Sequence, residues 1–200
     1  MKTREQELIK YIQACGGVIR FSEILKAGFH PTFIATLLKQ QKIERLARGL
    51  YKLPHGTLGS HPDLVLAALQ APRGVVCLLS ALFFHEATNE IPRQIDLAIS
   101  QGSRNSKIEY PPVKFYHFEQ KSWQAGIEEI KIRNHRIRVY NLAKTVADCF
   151  KFRNRIGISV ARAALKTAIL EKSIKPQAIL RYAKICRVQS IVKSLIEMII

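Results

Sequence analysis

Acidic residues are scarce in this sequence. Only 15 Asp+Glu stand against 32 Lys+Arg, for a net charge of +17. Cysteine is also sparse: Cys15, Cys77, Cys149 and Cys186 lie 62, 72 and 37 residues apart. No CxxC pair exists, which removes zinc-finger spacing and dithiol redox motifs. Each cysteine has apolar neighbours and reads as a reduced core thiol of a cytoplasmic protein. No run of about 18 apolar residues occurs, so no membrane span is expected. The start MKTREQELIK is too charged for a signal peptide. There is no G-x-S-x-G and no phosphate-binding glycine loop. The six histidines (His30, His55, His61, His85, His117, His135) never pair at ligand spacing on one helix. The sequence therefore predicts no metal, no cofactor and no enzyme. No internal repeat or low-complexity tract is present.

What is there is a globular composition, 48% hydrophobic and 24% charged. Two hundred residues suffice for one ordinary domain or two small ones. A pI near 10.1 makes a polyanion the default partner, nucleic acid ahead of membrane. The charge is uneven. Residues 1–53 hold 10 Lys+Arg against 4 Asp+Glu, residues 54–140 hold 10 against 8, and residues 141–200 hold 12 against 3.

The N-terminal stretch has the outline of a winged helix-turn-helix. Thr3 and Gln6 fit a capping box. Leu8, Ile9, Ile12 and Cys15 form an apolar stripe, and Gly16-Gly17 ends that helix. After an extended Val18–Phe21, Ser22 is expected to cap a brief helix, 23–27, with Gly28 at the turn. His30 caps the next helix, 31–41, and Pro31 takes its first position. Ile34, Leu37 and Leu38 face inward. Thr32, Thr36, Lys39 and Gln40 face outward, as a groove-reading helix requires. Ile43–Leu46 and Leu50–Leu53 then pair about Ala47-Arg48-Gly49 as a basic hairpin, with Tyr51 packing it onto the helices. Candidate DNA contacts are Thr32, Thr36, Lys39 and Gln40 on the helix and Arg45, Arg48 and Lys52 on the hairpin.

Residues 54–61 (PHGTLGSH) read as a linker. Helices are expected at 62–70 and 76–87, the second apolar nearly all round and buried, with His85 at its end. Period two takes over at 95–99, 113–118, 127–133 and 136–140, the last two joined at Asn134-His135. Helices follow at 142–152, 157–172, 176–186 and 189–199. The fold class is α+β, with domains at 1–54 and 62–200. Lys151, Arg153, Arg155, Arg162 and Lys166 make a possible second basic face for DNA or an acidic protein, with solvated helix surface as the plain alternative. Asp96 and the E-x-K of Glu129-Ile130-Lys131 match a metal-dependent nuclease loosely. With 12 Glu and 17 Lys, about one E-x-K arises by chance.

The order of three segments resembles the AbiEi-type antitoxins, transcriptional regulators of abortive-infection toxin–antitoxin systems. These are the hairpin end Arg48-Gly49-Leu50-Tyr51-Lys52-Leu53-Pro54, then GVVCLLSALFFHEAT with Ser80-Ala81-Leu82 and His85, then VYNLAKTVADCFKFRNRIG with Thr145, Asp148 and Gly157. The resemblance implies a winged helix that represses its own operon at inverted repeats in double-stranded DNA. It implies a C-terminal domain with antitoxin activity against a nucleotidyltransferase-like toxin, countered without a stable direct complex. It carries no catalytic residues. A module that sequesters a toxin through basic C-terminal helices, or the nuclease, are the alternatives.

Overall fold

A computed structural model describes residues 3–55 and 60–199. Its fold is α+β with two separate sheets. Helix α1 (Arg4–Ala14) starts at the expected box: Thr3 Oγ1 accepts from the Gln6 amide and Gln6 Oε1 from the Thr3 amide, both at 3.4 Å. Gly16 and Gly17 then take φ of +87° and +86°, a region strained for any residue with a Cβ. The chain continues through β1 (Val18–Arg20), α2 (Phe21–Lys26), α3 (Pro31–Lys39), β2 (Glu44–Ala47) and β3 (Leu50–Lys52). Strand β3 lies between β1 and β2, antiparallel to both. Leu8, Ile12, Ile24, Ile34, Leu37 and Tyr51 close a core beneath them. The Ser22 cap is not made. Helix α2 begins earlier, at Phe21, because the Glu23 carboxylate reaches back to accept from the Arg20 amide at 3.0 Å.

Of the expected linker, residues 56–59 lie outside the described residues. Beyond it come α4 (Pro62–Gln70), β4 (Val75–Val76), α5 (Leu78–Phe84), β5 (Ile95–Ser100), β6 (Val113–Phe118) and α6 (Gln120–Gln124). The hairpin β7 (Ile127–Ile132) and β8 (His135–Tyr140) follows, then α7 (Leu142–Lys151), α8 (Arg153–Ile156), α9 (Ile158–Leu170), α10 (Pro176–Cys186) and α11 (Gln189–Glu197). The sheet order is β6-β5-β4-β8-β7, with β5–β6 and β4–β8 parallel and β4–β5 and β7–β8 antiparallel. Helix α4 covers one face, setting Leu64, Val65 and Ala67 against Leu97, Ile137 and Val139. Helices α5, α7, α9, α10 and α11 cover the other around Phe118, Tyr140, Val146, Phe150 and Leu165.

Two expectations change here. The helix expected over 76–87 is shorter, since Val75 and Val76 form the central strand and Phe83 at the far end is exposed. The β7–β8 turn is Arg133-Asn134, with His135 buried inside β8. That turn meets the N-terminal helices. Asn134 Nδ2 donates to the Ala14 carbonyl, His135 packs on Gly16, and Arg20 Nε donates to the Leu69 carbonyl at 2.8 Å.

Candidate nucleic-acid interface

Helix α3 is fixed at its N-terminal end. His30 caps it, its Nδ1 accepting from the Thr32 amide at 3.4 Å, and Pro31 occupies the first turn, where a missing N–H leaves nothing unsatisfied. Arg4 donates to the Gly28 carbonyl at 3.1 Å, tying α1 to the turn that precedes α3. With Ile34 and Leu37 buried, the opposite face presents Thr32, Ala35, Thr36 and Lys39 to solvent. That is the face expected from periodicity.

The hydroxyls on this face are already committed. Thr36 Oγ1 donates to the Thr32 carbonyl at 3.0 Å, and Thr32 Oγ1 lies 2.8 Å from His30 Nδ1. Thr36 therefore offers lone pairs rather than a proton. It suits the amino group of a base better than a phosphate, which can only accept. Gln40 departs from the expectation of a longer helix: α3 ends at Lys39 and Gln40 is its exposed C-cap.

Among the hairpin cations, Arg45 and Arg48 are exposed and carry no ion pair among the described residues, and the same holds for Lys39. Gly49, at φ +73°, makes the turn behind Arg48. Lys52, the third expected hairpin contact, is paired within the hairpin. It is partly buried and its Nζ sits 2.9 Å from Glu44 Oε2, because residues 44 and 52 are register partners across β2 and β3.

The residues of the second basic face are spread over α7, α8 and α9. Arg153 donates to the Phe150 carbonyl at 2.9 Å, and Lys151 is half-buried. Arg155 borders a depression floored by Asp96. Arg162 and Lys166 instead rim a groove between α9 and α11 that shares no lining residue with that depression.

The nuclease constellation also fails to form. Asp96 is on β5, while Glu129 and Lys131 are on β7, with β4 and β8 between them. Three inter-strand spacings amount to about 14 Å, too far for shared metal ligation. Among the described residues no three His, Cys, Asp or Glu side chains converge as metal ligands.

Sequence reasoning missed a buried charge pair. Lys144 and Asp148 are both wholly buried, and Lys144 Nζ donates to both carboxylate oxygens at 2.6 Å. The ammonium lies over the Tyr140 ring at 4.3 Å and the Phe118 ring at 4.9 Å. Burial raises the Asp148 carboxyl above its ordinary value, and the Lys144 charge opposes that shift. The available signal was Lys144 and Asp148 four apart inside the apolar run LAKTVADCF.

No helix among the described residues is long and apolar enough to cross a membrane. A comparison with curated proteins finds no match. Residues 6–54, the stretch from α1 to the end of the hairpin, match the family described as "Transcriptional regulator, AbiEi antitoxin".

Proposed function

We propose that this chain is an antitoxin that also represses its own operon. Residues 1–54 act as a winged helix-turn-helix on double-stranded operator DNA with inverted repeats. Residues 62–200 act as an α+β antitoxin domain in the cytoplasm. The family match supports the general role of regulator and antitoxin. The observation that carries the DNA reading is the trio Lys39, Arg45 and Arg48. These cations are exposed and carry no ion pair among the described residues, at the end of α3 and along the hairpin. A helix of this kind enters the major groove while the hairpin meets the flanking backbone. Thr32 and Thr36 are the base-facing side chains, Gln40 extends the contact past the helix end, and Lys52, paired with Glu44, adds a further hairpin contact.

The test is titration of the full chain with its own promoter DNA at several salt concentrations. The Lys39→Ala/Arg48→Ala pair removes two cations, so the slope of log affinity against log salt should shrink by about 1.8, at 0.9 per phosphate. Affinity should fall by roughly tenfold or more. A double variant that keeps the parent's affinity and slope rejects this reading.

The functional partner is a nucleotidyltransferase-like toxin. A second reading, direct sequestration, is favoured by the groove between α9 and α11. Arg162 and Lys166 rim it, Leu165 and Leu195 line it, and Met198 is 77% exposed beside them. A cationic rim over an apolar floor suits an acidic amphipathic surface. Co-purification with the neighbouring gene product tests it, and the absence of a complex at micromolar concentration removes it.

A further inference from the structure

Asp96 is the least explained residue in the molecule. It is 4% exposed, and its Oδ1 has no hydrogen-bond partner. An orphaned buried carboxylate oxygen is costly, so folds rarely leave one without a use. The backbone around it is satisfied: its amide donates to Ser80 Oγ at 2.9 Å, and its carbonyl accepts from the Cys77 amide at 3.0 Å. Its carboxyl faces the Leu79 and Ser80 amides in the first turn of α5 and the Gln94 and Tyr116 side chains, and Oδ1 is the oxygen left unpaired.

Asp96 borders a cavity of about 390 Å³, within the range of small-molecule sites. Lys114 is the register partner of Asp96 across β5 and β6, so both stand on one face of the sheet, with Tyr116 two residues on. The 90–94 segment closes one side and α8 the other. Three exposed cations, Arg93, Lys114 and Arg155, line the cavity together with the exposed Glu90, and none of the three makes an ion pair among the described residues. Lys114 lies over the Tyr116 ring at 5.5 Å and Arg155 over the Phe152 ring at 5.9 Å. Ile91, Pro92 and Ile156 supply apolar walls.

A ligand for this cavity needs three parts. It needs a hydrogen-bond donor for the buried carboxylate, a flat or apolar body for the walls, and an anionic group for the three cations. We propose that the cavity binds a mononucleotide, with a base amino group or ring N–H donating to Asp96 and the phosphate among Arg93, Lys114 and Arg155. This site lies in the second sheet and is independent of the operator-binding reading. Losing one would leave the other standing.

Isothermal titration of the full chain with AMP, GMP, CMP and UMP tests this. Inorganic phosphate serves as the bare-anion control. At least one nucleotide should saturate at one per chain, at least tenfold more tightly than phosphate. Arg155→Ala and Lys114→Ala alter exposed side chains and should each weaken it several-fold, while Lys193→Ala on α11 should not. Asp96→Leu, checked for folding by circular dichroism, should abolish the preference for nucleotide over phosphate. The site is overturned if no nucleotide saturates at low-millimolar concentration. It is equally overturned if phosphate binds as tightly, or if Arg155→Ala and Lys114→Ala behave like Lys193→Ala.

Discussion

Lys144 and Asp148 show what a charge pair contributes when it is fully enclosed. Both ions gave up water, and the pair is stable there only because each completes the other and two aromatic rings face the ammonium. Cys186 Sγ donates to Asp148 Oδ1 at 3.2 Å, and burial pushes that thiol up to about 12. Removing one partner strands the other. Lys144→Met should therefore destabilise the fold by roughly 3–5 kcal/mol in urea titration, and Lys144→Met/Asp148→Leu should recover most of that loss. A single variant as stable as the parent would show that the pair is not holding α7 in place. Asp96 makes a different prediction. Burial raises its carboxyl to about 6 despite the Lys114 charge nearby. A carboxyl raised in the folded state binds protons the unfolded chain has released. Its favourable contribution is present below the ordinary carboxylate range and disappears as pH rises towards 6. Between pH 4 and 7 the parent should lose roughly 2–3 kcal/mol relative to Asp96→Asn. Parallel stability curves for the two proteins would contradict this.

The elements were mostly legible because their signals are local. Thr3 with Gln6, Pro31 after His30, and Gly49 behind Arg48 each place an element boundary within a few residues, and the structure places those boundaries there. The Ser22 cap and the end of α3 were local misses, and the larger failures are long-range. Val75 and Val76 sit in an apolar run that reads as helix. Their partners are Ala98, Leu97 and Val139, which no window of helical or strand length spans. The Lys52–Glu44 pair was not legible because Glu44 lies eight residues away, across a pairing that only the folded hairpin makes. The joint between the two sheets was invisible for the same reason. A Cβ at Gly16 would stand 3.0 Å from His135 Nε2 while the backbone sits at φ +87°. Gly16→Ala should therefore lower stability by about 1 kcal/mol or more, the strain of a left-handed non-glycine residue joined to a steric clash. Gly28→Ala has a comparable φ and open space around it, so it isolates the backbone cost. Thermal unfolding of both variants separates the clash from the strain: an equal loss for the two would mean that His135 yields freely.

At the scale of the whole molecule the issue is which part of the +17 meets DNA. The N-terminal stretch has the smaller excess, 10 basic against 4 acidic residues, and residues 141–200 the larger, 12 against 3. A polyelectrolyte view would give binding to the larger excess. The geometry argues otherwise. Of the C-terminal cations, Arg155 lines the Asp96 cavity, Arg162 and Lys166 line the α9–α11 groove, and Arg153 donates to the Phe150 carbonyl of α7. Around Arg162 and Lys166 the surface is apolar, with Met198 and Ile199 beside them. A phosphate backbone gains little there, since burying methyl and thioether groups against a hydrated anion offers no partner for either. The two cation sets can then be told apart by salt. Lys39→Ala/Arg48→Ala should reduce the salt slope of operator binding by about 1.8, and Arg162→Ala/Lys166→Ala should leave it within about 0.5 of the parent. Equal reductions would assign the C-terminal helices to DNA and remove the case for a protein surface there. An effect confined to the second pair would move the operator contact off α3 and the hairpin altogether.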